Sequence, residues 1–336
     1  MKLFANVFLL VSIPLAAENI ENKLQEAKDY LTVDPAQSLQ LLSTITEMKT
    51  LTVPQQITKH IITMRASVPT GKTTLLIDSI DAAFHHYQHP IFIENLTTIT
   101  SALGIWLRKN NYLDDAQISF ECSYRNAKNN RHKLILTNSL ALLARQLDDL
   151  DKAKKLYTTA KKLARASQQK NVLAIIENNQ GMIALEEGKV TLAEQHFRKA
   201  LIGYQNLDKR SGQISAGLNL LFVFVIQKNQ INFERLYEPT YNLTTAFPNE
   251  EKNALLFWLN MRFLQLQGKQ LTKNDHKHLK NNYLLIEDKK LKMLVNKYIA
   301  PHFNFKIVKV RYGNKIFSRL WFKHVKSCDW KNSSNL

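Results

Sequence analysis

Two stretches, LDKAKKLYTTAKKL at residues 150–163 and VTLAEQHFRKAL at residues 190–201, superimpose when one is slid along the other by 40 residues. Ala153, Tyr157 and Ala160 then fall on Ala193, Phe197 and Ala200. Small, aromatic, small at intervals of four and three marks one face of a helix, with small residues where a neighbouring helix comes close and a ring filling the gap beyond. Upstream of each stretch runs a second segment that is apolar at helical spacing, LILTNSLALLARQL (134–147) and NVLAIIENNQGMIALEEG (171–188), and each ends in a short polar turn. The recurring unit is a helical hairpin.

A further copy lies upstream in SALGIWLRKNNYLDDAQISFECS (101–123), where Leu103, Gly104, Leu107, Ala116 and Phe120 hold the equivalent places. The interval is 37 residues from Ala116 to Ala153 and 40 from Ala153 to Ala193. On Gly181, Ala184, Gly188, Ala193, Phe197 and Ala200 the chain resembles the tetratricopeptide repeat family, whose usual period is about 34 residues. The longer spacing implies helices about one turn longer than that family's standard. The resemblance implies an all-α solenoid of helical hairpins wound into a right-handed superhelix, with first helices lining a concave groove and second helices on the outer side.

Working outward from the repeats, hairpins are expected at about 91–129, 132–167, 171–205 and 209–247, the last degenerate, with Leu221–Ile226 apolar on all sides and so read as a buried helix. Residues 18–90 read as degenerate N-terminal hairpins that close one end of the array, with Asp34 and Pro35 opening a helix. Residues 248–300 read as capping helices. Beyond Pro301 the pattern changes to a basic, aromatic tail, for which a β-hairpin about Gly313 and Asn314 and an irregular segment able to touch a membrane surface both fit. Residues 1–17, MKLFANVFLLVSIPLAA, read as a cleaved secretory signal, which implies a periplasmic protein whose mature chain has no stable transmembrane segment.

The chain has 336 residues, with 46 Lys and Arg against 28 Asp and Glu, a net charge of +18. Such a charge draws acidic proteins, anionic envelope surfaces or nucleic acid, and export argues against nucleic acid. Basic residues cluster on Lys152, Lys154, Lys155, Lys161, Lys162 and Arg165, read as a solvated helix face on which an anionic surface can dock. The two cysteines, Cys122 and Cys328, suggest neither a disulfide framework nor a metal cluster, and Cys122 reads as a small buried residue.

Three motifs carry a chemical reading weaker than their structural one. ASVPTGKT (66–73) fits a loose phosphate-binding loop with Gly71, Lys72 and Thr73, but the helical pattern of Ile57–Arg65 before it lacks the strand that such a loop needs, so a helix-start turn is expected. His85 and His89 share a helix face at metal-binding spacing, while histidine in a last helical turn is also favoured by the helix dipole. The acidic pairs Asp148–Asp149 and Glu186–Glu187 fall at turns and read as surface. With no nucleophile elbow, zinc helix or dinucleotide turn, no catalytic residue, cofactor or metal is expected, and the chain is read as non-enzymatic.

One polar pattern points to a ligand. Three residues before the small place of each first helix stand Asn138, Asn178 and Asn219, at intervals of 40 and 41, with Asn260 another 41 on and Ser101 at the same place in the first array repeat. An asparagine side chain pairs with both the N–H and the C=O of an extended peptide. In the resembling family such a row binds peptides, and helix packing through buried hydrogen bonds accounts for the same pattern. The sequence therefore suggests an exported scaffold or sensor module that holds a protein or peptide in its groove. The alternative is a cytoplasmic peptide-responsive regulator.

Overall fold

The computed structural model describes residues 15–305 and 315–330, and these are helical with no strand among them. The chain divides into two compact units, one made of residues 1–127 with 315–336 and the other of residues 128–314. The second unit is thus inserted, in chain order, between the two parts of the first.

Unit 1 begins with α1 (Leu15–Tyr30), α2 (Pro35–Ser43), α3 (Val53–Thr70) and α4 (Thr73–Phe84), continues through the short α5 (Pro90–Glu94), and reaches the first array hairpin, α6 (Leu96–Lys109) and α7 (Leu113–Arg125). Local sequence sets these boundaries. Asp34 caps α2 by accepting from the N–H groups of Ala36 and Gln37, with Pro35 in the first turn. Thr52 and Gln55 form a reciprocal capping box that opens α3. Gly71 ends α3 at φ +70°, a left-handed conformation for which glycine has no steric penalty.

Unit 2 is a series of hairpins: α8 (Asn130–Gln146) with α9 (Leu150–Ala166), α10 (Lys170–Glu186) with α11 (Val190–Gln205), α12 (Arg210–Gln227) with α13 (Gln230–Ala246), and α14 (Glu250–Leu266) with α15 (Lys273–Leu285). The helix α16 (Lys289–Tyr298) follows. Each first helix ends on one residue in the left-handed region, and these fall at Asp148, Gly188, Lys228 and Gly268, three successive intervals of 40. The repeat read from small and aromatic residues is therefore also a repeat of backbone geometry, and it extends through α14.

Close approach within a hairpin explains the small residues. A Cβ added at Gly181 would lie 2.5 Å from the Phe197 ring, and one at Gly104 would lie 2.6 Å from the Phe120 ring. Both rings are fully buried, so neither can move aside without opening a void. In the hairpin between them Ala141 and Tyr157 are buried at the equivalent places. Within α12 the stretch Leu220–Val225 is enclosed on all sides, every residue of it buried, as its continuous apolar run implies.

The final helix, α17 (Phe322–Ser327), belongs to unit 1. Here the structure corrects the sequence reading twice. Cys122 on α7 and Cys328 just after α17 form a disulfide, with Cα atoms 5.5 Å apart, rather than standing as separate residues. Residues 315–330 are not a loose tail: Phe317, Phe322, Val325 and Trp330 are buried in the unit. The hairpin read at Gly313 and Asn314 lies outside the described residues, as does the apolar stretch 1–14 of the signal.

Candidate peptide-binding site

The asparagine row occupies one position on three successive first helices, with Asn138 on α8, Asn178 on α10 and Asn219 on α12, each half-buried. Asn219 donates from Nδ2 to Asn178 Oδ1 at 3.0 Å, so the register read from the sequence brings these two amides together in space. That bond uses one of two donors on Asn219 and one acceptor lone pair on Asn178. Asn138 differs. Its Oδ1 is buried and accepts no hydrogen bond, an arrangement that costs about 1–3 kcal/mol when no donor or water reaches the oxygen. Gln180 on α10 has an Oε1 in the same condition.

Charged groups beside the row fix the helices that carry it. Glu177, one residue before Asn178, accepts from Lys161 of α9 and, at 2.7 Å, binds Nδ1 of His196 of α11. Burial alone would push the Glu177 carboxyl up, but the hydrogen bonds from His196 and Lys161 outweigh it and hold the group at about 2. One carboxylate thus ties three helices. Arg145 on α8 donates from Nε to Glu186 at 2.8 Å, joining neighbouring repeats.

The acidic turns have a task that their sequence context did not reveal. Lys290 at the start of α16 is buried and pairs with Asp148. Lys297 donates to the Glu186 carbonyl at 3.1 Å, and the Tyr298 hydroxyl donates to the Leu185 carbonyl at 3.0 Å. These carbonyls belong to the last turn of α10, where the helix leaves acceptors unpaired and its dipole favours a cation. The basic face of α16 therefore docks on the ends of first helices, and Glu186 and Glu187 are half-buried and paired rather than free at the surface. A cleft of about 370 Å³ remains there, lined by Asp148, Leu150, Glu186, Met293, Asn296 and Lys297 among others. The Asn296 Oδ1 is buried without a partner, and its Nδ2 donates to Tyr283 at 2.9 Å.

Unit 1 holds a second arrangement that the sequence reading missed. Residues 315–319 have no regular secondary structure and run over α4, α6 and α7. The N–H of Phe317 donates to Asp115 Oδ2 at 2.8 Å, Trp321 Nε1 donates to Asp81 Oδ1 at 2.8 Å, and Arg319 pairs with Asp81 Oδ2 at 3.0 Å. The Phe317 ring lies 5.8 Å from Trp106 and 5.7 Å from Tyr112, and Trp321 stacks on Phe84 at 3.9 Å. A signal for this was present: if residues 1–17 direct export, two cysteines in an oxidising compartment are able to pair, which would bring the tail back onto the fold.

The motifs with a weak chemical reading resolve structurally. Residues 66–73 are the end of α3, a glycine turn and the start of α4, and the Thr73 carbonyl accepts from Trp106 Nε1 at 3.0 Å. His89 caps α5 by accepting from the Ile91 N–H at 3.2 Å, and among the described residues no group of three His, Cys, Asp or Glu is placed to hold a metal. Of the basic run on α9, Lys154 pairs with Glu187 and Lys161 with Glu177, while Lys152, Lys155, Lys162 and Arg165 are exposed. No helix among the described residues is long and apolar enough to cross a membrane.

No family model and no curated protein matches this chain. Among solved structures it is similar to BtubC (BKLC) from P. vanneervenii, at 17% identity over 78% of this chain and 98% of that one, with a TM-score of 0.36. It is similar to a Rap protein complexed with Competence and Sporulation Factor, at 11% identity over 86% and 97% with a TM-score of 0.43. A third likeness is to the apo form of RapI, at 11% identity over 94% and 97% with a TM-score of 0.42.

Proposed function

We propose that this chain is a non-enzymatic scaffold or sensor module that binds an extended peptide along Asn138, Asn178 and Asn219. The observation that carries the reading is the buried Asn138 Oδ1 without a donor, standing at the repeat position whose next two members, Asn178 and Asn219, bond to each other. Rotation of the half-buried Asn138 amide brings that oxygen to a peptide N–H, and the unused donor of Asn219 pairs with a peptide carbonyl. Main-chain pairing of this kind sets little demand on ligand side chains, so affinity comes from an extended backbone and specificity from the surrounding groove.

The protein acts in the periplasm on this reading. Support comes from the signal-like residues 1–17 and from the Cys122–Cys328 disulfide, which persists in oxidising compartments and is rare in the cytosol. The same disulfide counts against a cytoplasmic regulator. An acidic partner suits the exposed Lys152, Lys155, Lys162 and Arg165.

The test is a displayed library of random linear peptides, selected on the purified chain and on a variant with all three asparagines changed to alanine. Selected peptides should bind the native chain saturably and the variant at least tenfold more weakly, with circular dichroism unchanged. Equal binding by a folded triple variant overturns the site. Fractionation of cells, with thiol labelling of the two cysteines, tests the location: full-length, labelled protein in the cytosol contradicts export.

A further inference from the structure

The segment 315–330 sits on unit 1 in the manner of a bound ligand. Its anchors come at every second residue. Phe317 fills the socket of Trp106 and Tyr112, Arg319 pairs with Asp81, and Trp321 stacks on Phe84 while donating to the same carboxylate. Between and beside them Ile316 is 79% and Leu320 is 90% exposed. The first two anchors lie in a stretch without regular secondary structure, and a turn closed by the Phe322 N–H donating to the Arg319 carbonyl at 2.9 Å sets Trp321 down on Phe84. Recognition of a segment by pockets for alternate side chains, plus main-chain hydrogen bonds, is a general mode of peptide binding.

The socket is built by unit 1 itself. Trp106 is held by its hydrogen bond to the Thr73 carbonyl and lies parallel to Tyr112 at 5.9 Å. Asp115 stands in the first turn of α7, where the helix N-terminus favours its charge. It is only 6% exposed, and its described bond is the one from the Phe317 N–H. In a chain of net charge +18, two carboxylates turned toward one segment make a local acidic site.

We propose that the face of α4, α6 and α7 is a second peptide site, distinct from the asparagine row. It takes segments bearing an aromatic residue, a basic residue two places on and, across a turn, a tryptophan two further on. Residues 315–330 are its resident ligand in cis, locked by Cys122–Cys328. Opening the disulfide, by exchange with an external dithiol that is itself oxidised to its cyclic disulfide, leaves two thiols on the protein and a seat that another segment of the same chemistry can compete for. The disulfide therefore sets whether the site answers to ligands in trans.

The experiment uses the full chain. In a Cys328→Ser, Phe317→Ala, Trp321→Ala variant the seat is vacated, and a fluorescein-labelled peptide of residues 315–330 with serine at 328 is titrated by anisotropy. Saturable binding is expected, weakened at least tenfold when Asp81→Asn and Asp115→Asn are added, while oxidised native protein binds none. A second measurement spares the anchors. The single variant Cys328→Ser is mixed with the 315–330 peptide whose Cys328 is activated as a 2-pyridyl disulfide. The Cys122 thiolate attacks the peptide sulfur, forming the mixed disulfide and expelling pyridine-2-thione, which is followed by absorbance and intact mass. Trapping at least tenfold faster than for a scrambled peptide of the same composition is expected. Equal trapping rates, no saturable binding by the folded vacated variant, or a chain that only exchanges tails into dimers and binds no free peptide each overturns the proposal.

Discussion

Cys122 on α7 and Cys328 after α17 are separated by 206 residues in the chain and joined covalently in unit 1. The bond closes a loop that contains the whole of unit 2. Its stabilising effect falls on unit 1, because only that unit loses the tail when the bond opens. A cross-link over a disordered loop of this length restricts the unfolded chain by about 5 kcal/mol, and less where the loop keeps structure of its own. Three of the four tryptophans, Trp106, Trp321 and Trp330, lie in unit 1 and report on it. Reduction, or Cys328→Ser, should lower the denaturant midpoint seen by tryptophan fluorescence by an amount equivalent to about 3 kcal/mol, and should release the far-ultraviolet signal of unit 2 as a separate, unshifted transition. A single transition unmoved by reduction would contradict this.

Gly181→Ala should destabilise unit 2. The added Cβ meets Phe197 at 2.5 Å, and overpacking of a filled core costs about 1–3 kcal/mol, against which the better helix propensity of alanine returns at most about 1 kcal/mol. A loss of about 1–2 kcal/mol is expected in urea unfolding. Adding Phe197→Leu to the same chain should recover part of it, since the smaller side chain clears the space. If Gly181→Ala raises stability, the close approach of the two helices is not what selects glycine here.

The two units should respond to acid in different pH windows. His60 on α3 is pushed down from 6.5 to about 4, first by burial and then by the charges of Lys59, His86 and His85. The unfolded chain binds its proton first, so unit 1 loses stability as pH falls from about 6.5 to 4. Glu177 is held at about 2 against an ordinary 4.5, so its contribution to unit 2 is intact above about 4.5 and disappears as pH falls toward 2. Each window should account for about 2 kcal/mol once solvent screening is allowed for. Denaturation at stepped pH checks this: His60→Gln should flatten the upper window alone and Glu177→Gln the lower one alone.

Asn138→Leu separates a binding role from a packing role. Replacing a buried acceptor that has no donor by an apolar group of similar size removes an unmet desolvation cost. The variant should therefore be as stable as the native chain or up to about 1 kcal/mol more stable by thermal unfolding, while losing affinity for any peptide that bonds to the row. A clear loss of stability would mean that Asn138 serves the fold.

Much of the fold was legible because helix hairpins are local. Ala153, Tyr157 and Ala160 against Ala193, Phe197 and Ala200 give the helices, their pairing and their 40-residue period, since these depend on side chains three, four and 40 positions apart along one chain. The same register places Asn178 beside Asn219, and the structure joins them. Contacts between residues far apart in the chain leave no period to read. Lys290 reaches back to Asp148, Trp321 to Asp81 and Cys328 to Cys122. Each of those pairings rests on where separate helices come to lie, so charges, rings and thiols that look like ordinary surface or tail residues in the sequence acquire partners only through the fold. Sequence alone fixed the helical hairpins and the spacing of their amides. The tertiary structure decided that α16 caps the first helices, that the tail returns to unit 1, and which polar atoms are left buried without a donor, because burial is a property of the packed chain and not of any stretch of it.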